Sequence, residues 1–405
     1  MQEPDIARIS HWLAKSGLAG LSEPDLLRGF CESCRAVGLH ITRALVFIDT
    51  LHPIYEGHAF PWRHDQPVEQ SEIAYRPTNQ GGTAEENWRR TIFYQLWQNG
   101  GTEMRLRLGN AEPVDYYAVD RLQAEGQTDY IAFVHRFAAA GVIGEMDGIF
   151  SHWTTEHEDG FSEADLAALR RLMPQLSIAI KCASLTRIAG TLVEVYLGRD
   201  AGRRVLSGRI TRGVADRIHA VLWFSDLRGF TTITDTAKPD DIIPLLNDYA
   251  EAVITSVQET GGDVLKLIGD GTLAIFAAED AAAASAQALQ AEAALRQRIL
   301  DLNEKRQAAG HPITSVYLGL HIGEVFYGNI GSDDRLDFTV VGPAVNEVSR
   351  IAAMCRSIDR SVLISDSFRA ALPEALHATL VSVGRYALRG IGRAQELFTI
   401  DPELL

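Results

Sequence analysis

The chain of 405 residues carries 38 Lys and Arg against 53 Asp and Glu, a formal net charge of -15. That balance argues against a basic nucleic-acid-binding face, and four cysteines in so long a chain exclude a disulfide framework. Hydrophobic residues at 46% supply cores for two or three domains of ordinary size.

No stretch reads as the ~18 to 20 apolar residues of a membrane helix. Residues 1–23 read as a short amphipathic helix, with Ile6, Ile9, Trp12 and Leu13 on one face. They lack the apolar core and cleavage site of a signal peptide, so a cytoplasmic location is expected. Cys31 and Cys34 stand three apart in a helical pattern with no second pair to complete a metal site, which favours a core role.

Residues 24–184 read as mixed α and β. A helical pattern (Leu26, Leu27, Phe30, Cys34, Val37) leads to the apolar strand 44–48. Aromatic and β-branched runs follow, separated by turns such as Asn79-Gln80-Gly81-Gly82. Ser162, with Asp165 three residues on, is an N-cap for a helix whose stripe is Leu166, Leu169, Leu172, Met173 and Leu176. This order of elements, with the stretch Asp159 to Ala164, resembles GAF-type sensor domains, which implies an unidentified effector. Leu51, His52, Pro53 and Trp62 are candidates to line a ligand cavity, set against ordinary core or edge roles.

Residues 185–217 form a connector. Leu192, Val195, Tyr196 and Leu197 read as the end of a signalling helix, which Gly198, Gly202, Gly208 and Gly213 break into a bend.

In residues 218–402 the periodicity predicts a strand over 218–224, a helix over 239–260 stopped by Gly261-Gly262, and two strands, 263–268 and 272–276, joined at Gly269-Asp270-Gly271. A long alanine-rich helix over 280–308 follows, suited to packing on a flat surface. Strands are predicted over 315–321 and 324–328, separated at Ile322-Gly323, then over 337–341, and the next helix opens at Asn346. The order βαββαβ is that of a ferredoxin-like sheet, and the fold class is α+β.

Two aspartates, Asp226 and Asp270, end up close in that topology. An aspartate in a turn is common for local reasons, so the flanking residues decide. Phe224-Ser225-Asp226-Leu227-Arg228-Gly229-Phe230-Thr231, the run Glu259 to Gly271 and the run Asp337 to Arg350 resemble, in order, three motifs of the class III adenylyl and guanylyl cyclases. The resemblance covers about residues 220–400. It implies that Asp226 and Asp270, with Leu227, hold two Mg²⁺ or Mn²⁺ ions, hard cations that favour oxygen ligands. It implies in-line attack of a ribose 3′-hydroxyl on the α-phosphorus, with pyrophosphate leaving. The amides of Gly229, Phe230 and Thr231 would cradle phosphates, the following helix being expected too far along to share that role. Asn346 and Arg350, on one helix face, would orient the ribose and neutralise charge on the α-phosphate. Arg350 taken alone would read as a surface salt bridge. Arg389 falls near a position where the family often has a triphosphate-contacting lysine.

Lys266 and Thr339 resemble the base-reading pair. Lysine only donates, which suits adenine N1, while a threonine hydroxyl donates or accepts. ATP is therefore the implied substrate, chiefly through Lys266. In the family each site lies between two cyclase domains, one giving the aspartates and the other Lys266, Thr339, Asn346 and Arg350. One chain with the full set implies a homodimer. Two rival readings fit the residues less well. A diguanylate cyclase would carry its Gly-Gly-Asp within the hairpin, whereas Gly261-Gly262-Asp263 precedes the strand. A silent nucleotide sensor would have lost one of the metal or Asn/Arg positions.

Overall fold

A computed structural model describes residues 1–65, 72–78, 81–109, 116–137, 143–144 and 146–401, and the chain divides into two compact units, Met1–Leu192 and Val193–Leu405. Asn79 and Gln80 of the expected turn, and residue 402 at the expected domain end, lie outside the described residues.

Unit 1 begins with helices α1 (Glu3–Leu18) and α2 (Glu23–Ala36), the second capped by Ser22. Then come β1 (Arg43–Asp49), β2 (Gly57–Arg63), β3 (Ile73–Tyr75), α3 (Thr83–Arg89), α4 (Ile92–Gln98), β4 (Glu103–Arg107), α5 (Val119–Ala124), β5 (Asp129–Arg136), β6 (Gly148–Thr155) and α6 (Glu163–Leu197). The strands make one antiparallel sheet in the order β3-β2-β1-β6-β5-β4. Alternation along β1 sends Val46 and Ile48 to a core shared with Ile6, Ile9 and Leu13 of α1, Phe30 of α2 and Leu172 of α6. Phe47 points the other way, to a core with Phe93, Tyr130 and Phe150. Asp129 is fully buried, and Arg105 (2.7 Å) and the Phe161 amide (2.9 Å) satisfy its carboxylate, which ties the entry of α6 to β5.

Ser162 caps α6 as its spacing predicts: its Oγ accepts from the Asp165 amide at 3.2 Å, and the Asp165 carboxylate accepts from the Ser162 amide at 3.1 Å. Cys31 and Cys34 are buried, and burial pushes the Cys34 thiol up to about 12, far from a reactive thiolate. The imidazole of His52 accepts from the amides of Ile54 (3.1 Å) and Tyr55 (3.3 Å), a turn-forming role, while Trp62 packs against the core. One expectation is corrected. Helix α6, 35 residues long, contains an 18-residue window of mean hydropathy 1.4 and is long and apolar enough to cross a membrane. Its buried stripe, from Leu166 through Leu176 to Ile188, belongs to the core of unit 1, and length and apolarity alone do not establish a membrane span.

Unit 2 continues with α7 (Arg199–Leu206), β7 (Ala215–Leu227), α8 (Phe230–Thr236), α9 (Pro239–Glu259), β8 (Asp263–Ile268), β9 (Gly271–Ala277), α10 (Ala281–Ala308), β10 (Val316–Gly331), β11 (Leu336–Val341), α11 (Pro343–Ile358), β12 (Val362–Ser365), α12 (Asp366–Ala371), a 3-10 turn (Glu374–Thr379), β13 (Leu380–Tyr386) and β14 (Gln395–Ile400). The sheet order is β13-β14-β12-β10-β7-β9-β8, with β11 paired to β10. Its central four strands, β10-β7-β9-β8, with α9 and α10 as crossovers, are the ferredoxin-like arrangement. Helices α9 and α10 cover one face through Tyr249, Val253, Ala284 and Ala288, packed on Trp223 and Phe276. The small alanines let α10 lie close to the sheet. The other face, with Leu222, Leu273, Tyr327 and Phe338, is covered by Ala344 and Val348 of α11 and Ala201 of α7.

Three local expectations are revised. Strand β10 runs unbroken from Val316 to Gly331, through Gly323. Its glycines serve packing: a Cβ on Gly319 would stand 2.7 Å from the Val348 carbonyl and the Ala352 amide, and one on Gly323 would stand 2.8 Å from Ala344 Cβ. Helix α11 starts at Pro343, a turn ahead of the expected opening, because proline suits the first helical position. In the connector, Gly198 (φ 86°) does break the helix, but Gly202 is buried inside α7, where a Cβ would meet Glu194 Cα at 3.0 Å. The connector therefore packs on the sheet as well as bending. Gly319→Val should drive α11 off β10 and cost about 2 to 3 kcal/mol, read as a lower urea midpoint at unchanged slope.

Candidate active site

The local sequence explains why two carboxylates meet. Strand β7 carries Asp226 as its penultimate residue, opposite Tyr317 of β10. Asp270 sits in a two-residue turn between the paired residues Ile268 and Gly271, with Gly269 (φ 63°) in the first place, as a tight hairpin turn of this kind requires. Gly271 permits the approach: a Cβ there would stand 3.1 Å from the Ser225 carbonyl and 3.5 Å from Asp226 Oδ1. Both aspartates line a cleft of about 210 Å³ whose walls include Leu246, Asn247, Tyr249 and Val253 of α9 and Leu267 of β8. Burial, a hydrogen bond to Asp270 and the charge of Asp270 push the Asp226 carboxyl up to about 6.

Such a pair holds more negative charge than the protein around it neutralises, and its oxygen donors fit a hard divalent cation. Among the described residues no cluster of three or more His, Cys, Asp or Glu side chains has metal-binding geometry, so the fit rests on two carboxylates plus main chain. Leu227 belongs there only through its backbone, since its side chain is buried in the α9/α10 core.

Gly229 (φ 70°) turns the chain directly into α8, which begins at Phe230. The expectation that the next helix lies too far along is thus corrected. The amides of Phe230 and Thr231 belong to its first turn, where backbone N–H groups have no partner within the helix. Arg389 is exposed in the turn between β13 and β14.

The other predicted residues form a second group. Lys266 lies on β8 opposite Leu273, facing the α11 side of the sheet, and its ammonium forms an ion pair with Asp337 of β11. Thr339 is buried on β11 opposite Gly328. Asn346 and Arg350 are exposed, one turn apart on α11, and Arg350 makes no ion pair with any described residue, contrary to the surface-salt-bridge reading. None of Lys266, Thr339, Asn346, Arg350 or Arg389 lines the aspartate cleft of the same chain. Asp263, the aspartate of the Gly-Gly-Asp run, opens β8 at the end away from the Asp270 turn, and burial followed by the charge of Asp200 raises its carboxyl.

Sequence reasoning assigned no role to Asp337. The signal was present, since Asp337 and Thr339 are two apart on a strand and share a face. Asn247 and Leu267, which wall the cleft, also escaped notice, because only the packing of α9 on the hairpin brings them there.

The family model of the adenylate and guanylate cyclase catalytic domain matches residues 215–401. An adenylate cyclase of Anabaena cylindrica is 33% identical over 159 residues, 38% of this chain and 31% of that protein. Adenylate cyclase 1 of Rhizobium meliloti is 28% identical over 173 residues, 42% of this chain and 26% of that protein. The chain thus spans about a third or less of the length of these curated relatives. Among solved structures, the adenylyl cyclase CyaB of P. aeruginosa aligns at 24% identity and a TM-score of 0.42, over 46% of this chain and 95% of that one. The guanylyl cyclase Cya2 aligns at 24% identity and a TM-score of 0.41, over 46% and 93%. Residues 215–401 of this chain are a class III nucleotide cyclase domain of the adenylate and guanylate cyclase family.

Proposed function

We propose that this chain is a cytoplasmic adenylyl cyclase that converts ATP to 3′,5′-cyclic AMP and pyrophosphate as a homodimer, under control of a GAF-like sensor in its N-terminal unit. The observation that carries the reading is the Asp226–Asp270 pair, two carboxylates held together in a cleft with Asp226 raised to about 6. The two relatives named adenylate cyclase support the choice of reaction.

Asp226, Asp270 and the main chain of Leu227 would hold two Mg²⁺ or Mn²⁺ ions, which when bound supply Lewis-acid activation of the ribose hydroxyl and charge neutralisation on the triphosphate. The 3′-oxygen forms a bond to the α-phosphorus, the bond from that phosphorus to the bridging oxygen breaks, and the hydroxyl proton passes to water. Lys266 donates to adenine N1, and Thr339 accepts from the 6-amino group. Asn346 orients the ribose. Arg350, free of ion pairs to described residues, neutralises charge growing on the α-phosphate. The amides of Gly229, Phe230 and Thr231 contact phosphate oxygens, with Arg389 beyond them.

The separation of the two residue groups within one chain supports the shared-site dimer. So do the exposed apolar side chains Leu267 and Ile268 at the hairpin and Phe326 and Val341 on β10 and β11. The test is turnover by the purified chain with ATP and GTP offered separately, in Mg²⁺ and in Mn²⁺, with products resolved by chromatography. Cyclic AMP from ATP with little cyclic GMP is expected. Comparable cyclic GMP would overturn the base assignment, and no cyclic product in either metal would overturn the reaction.

A further inference from the structure

We propose that His321 and Glu347 are a positioning pair: the imidazole holds the Glu347 carboxylate away from Arg350 and so leaves that guanidinium free to meet phosphate. The inference deepens the cyclase reading above and rests on it. Glu347 stands three residues before Arg350 on α11. Residues at that spacing are neighbours on a helix, and opposite charges there ordinarily pair. Here the carboxylate turns inward instead. Its Oε1 lies 3.5 Å from Nδ1 of His321 on β10, and the two side chains are 18% and 7% exposed. Arg350 stays exposed, with no ion pair to a described residue.

The ring is fixed by what surrounds it. The hydroxyls of Ser365 and Ser367 lie 2.9 and 3.2 Å from the same Nδ1, and Ser365 is itself held as the cap of α12. Gly323 lets the first turn of α11 come close, since a Cβ there would stand 2.8 Å from Ala344 Cβ and 3.3 Å from His321 Nε2. His321 and Glu347 line a cleft of about 370 Å³ with Arg217, Glu324 and Phe326. Arg217 is paired with Glu324 across the strands, which leaves Glu347 as the carboxylate on the ring. The other charged or titratable groups near the ring are His219 on β7 and, exposed between the two serines, Asp366 on α12. Burial holds the imidazole below the usual histidine range, the Glu347 charge opposes that shift and His219 adds to it. Below its titration the imidazolium grips the carboxylate with full charge. Above it a neutral ring shares Nδ1 with two hydroxyls, and Glu347 is freer to swing to Arg350. A carboxylate on the guanidinium cancels the charge that the α-phosphate requires.

The test compares wild type, Glu347→Gln, His321→Leu and the double variant in cyclic AMP formation from ATP in Mn²⁺, between about pH 5 and 8. His321→Leu, which releases the carboxylate, should lower kcat about three- to tenfold with KM little changed. Adding Glu347→Gln should restore kcat, a recovery that damaged packing would not show, since the double variant keeps the same buried leucine. Glu347→Gln alone should equal or exceed wild type. The activity of wild type relative to Glu347→Gln should fall about twofold or more as pH rises through the His321 titration, while the Asp226 titration is common to both and cancels. Imidazole ¹⁵N NMR of the full chain should place the His321 titration lower in Glu347→Gln than in wild type. A His321→Leu loss that Glu347→Gln does not relieve would overturn the proposal, and so would an unchanged His321 titration in Glu347→Gln. Should wild type yield no cyclic product, the cyclase reading falls, and the His321 titration alone decides whether the pair exists.

Discussion

Asp226→Asn is expected to lower cyclic nucleotide formation about a thousandfold or more, because it removes a charge the bound cations need. The same substitution should stabilise the metal-free chain above pH 6. The sign follows from the raised carboxyl. Asp226 titrates near 6 in the folded chain against 3.8 for the free side chain, so the folded state holds its proton more tightly than the unfolded state. Relative stability is full below about 4 and is lost as pH rises through 6. Discounted for partial exposure, the loss is on the order of 1 kcal/mol. Thermal melts at pH 4, 6 and 8 without metal should show the wild type falling relative to Asp226→Asn. Adding Mg²⁺ should raise the wild-type midpoint and leave the variant unmoved. A variant that keeps its activity, or that responds to Mg²⁺ as wild type does, would remove Asp226 from the metal site.

Arg350→Ala is the second large effect, a fall of about 100- to 1000-fold in kcat with KM little changed, since the guanidinium acts on charge that develops only at the α-phosphate in the transition state. Stability should move by no more than about 0.5 kcal/mol, because Arg350 is exposed and holds no ion pair with a described residue. Arg350→Lys should recover little, as lysine lacks the planar fork. A loss of activity matched by a loss of fold would return Arg350 to a structural role.

The sequence made the ferredoxin-like order legible because its helices are long and strongly periodic, as in α9, and its hairpin is marked by Gly269. The aspartates were legible because each follows an apolar strand and sits within a long motif. Other features depend on tertiary structure. Gly319 and Gly323 look like strand breaks, yet their purpose lies on another element, the close passage of α11. Helix α8, Phe-Thr-Thr-Ile-Thr-Asp-Thr, is made of residues with modest helix propensity, and its apolar face is only the pair Phe230 and Ile233. Helix α6 reads in the sequence as two pieces, because its apolar pattern changes face along 35 residues. The Lys266–Asp337 pair joins residues 71 apart, which no local pattern announces. No effector for the proposed N-terminal sensor was legible either, since the side chains singled out for it, His52 and Trp62, are engaged in a turn and in the core.

The central claim is that one chain supplies the aspartates and its partner supplies the residues that read the base and ribose, and complementation tests it most directly. Asp226→Ala chains and Asn346→Ala chains, each inactive alone, are mixed in equal amounts and allowed to exchange. Half of the dimers are then mixed and each has one intact site, so activity should return to about a quarter of the wild-type value. A mixture as inactive as either parent, in dimers shown to have exchanged, would contradict the shared site.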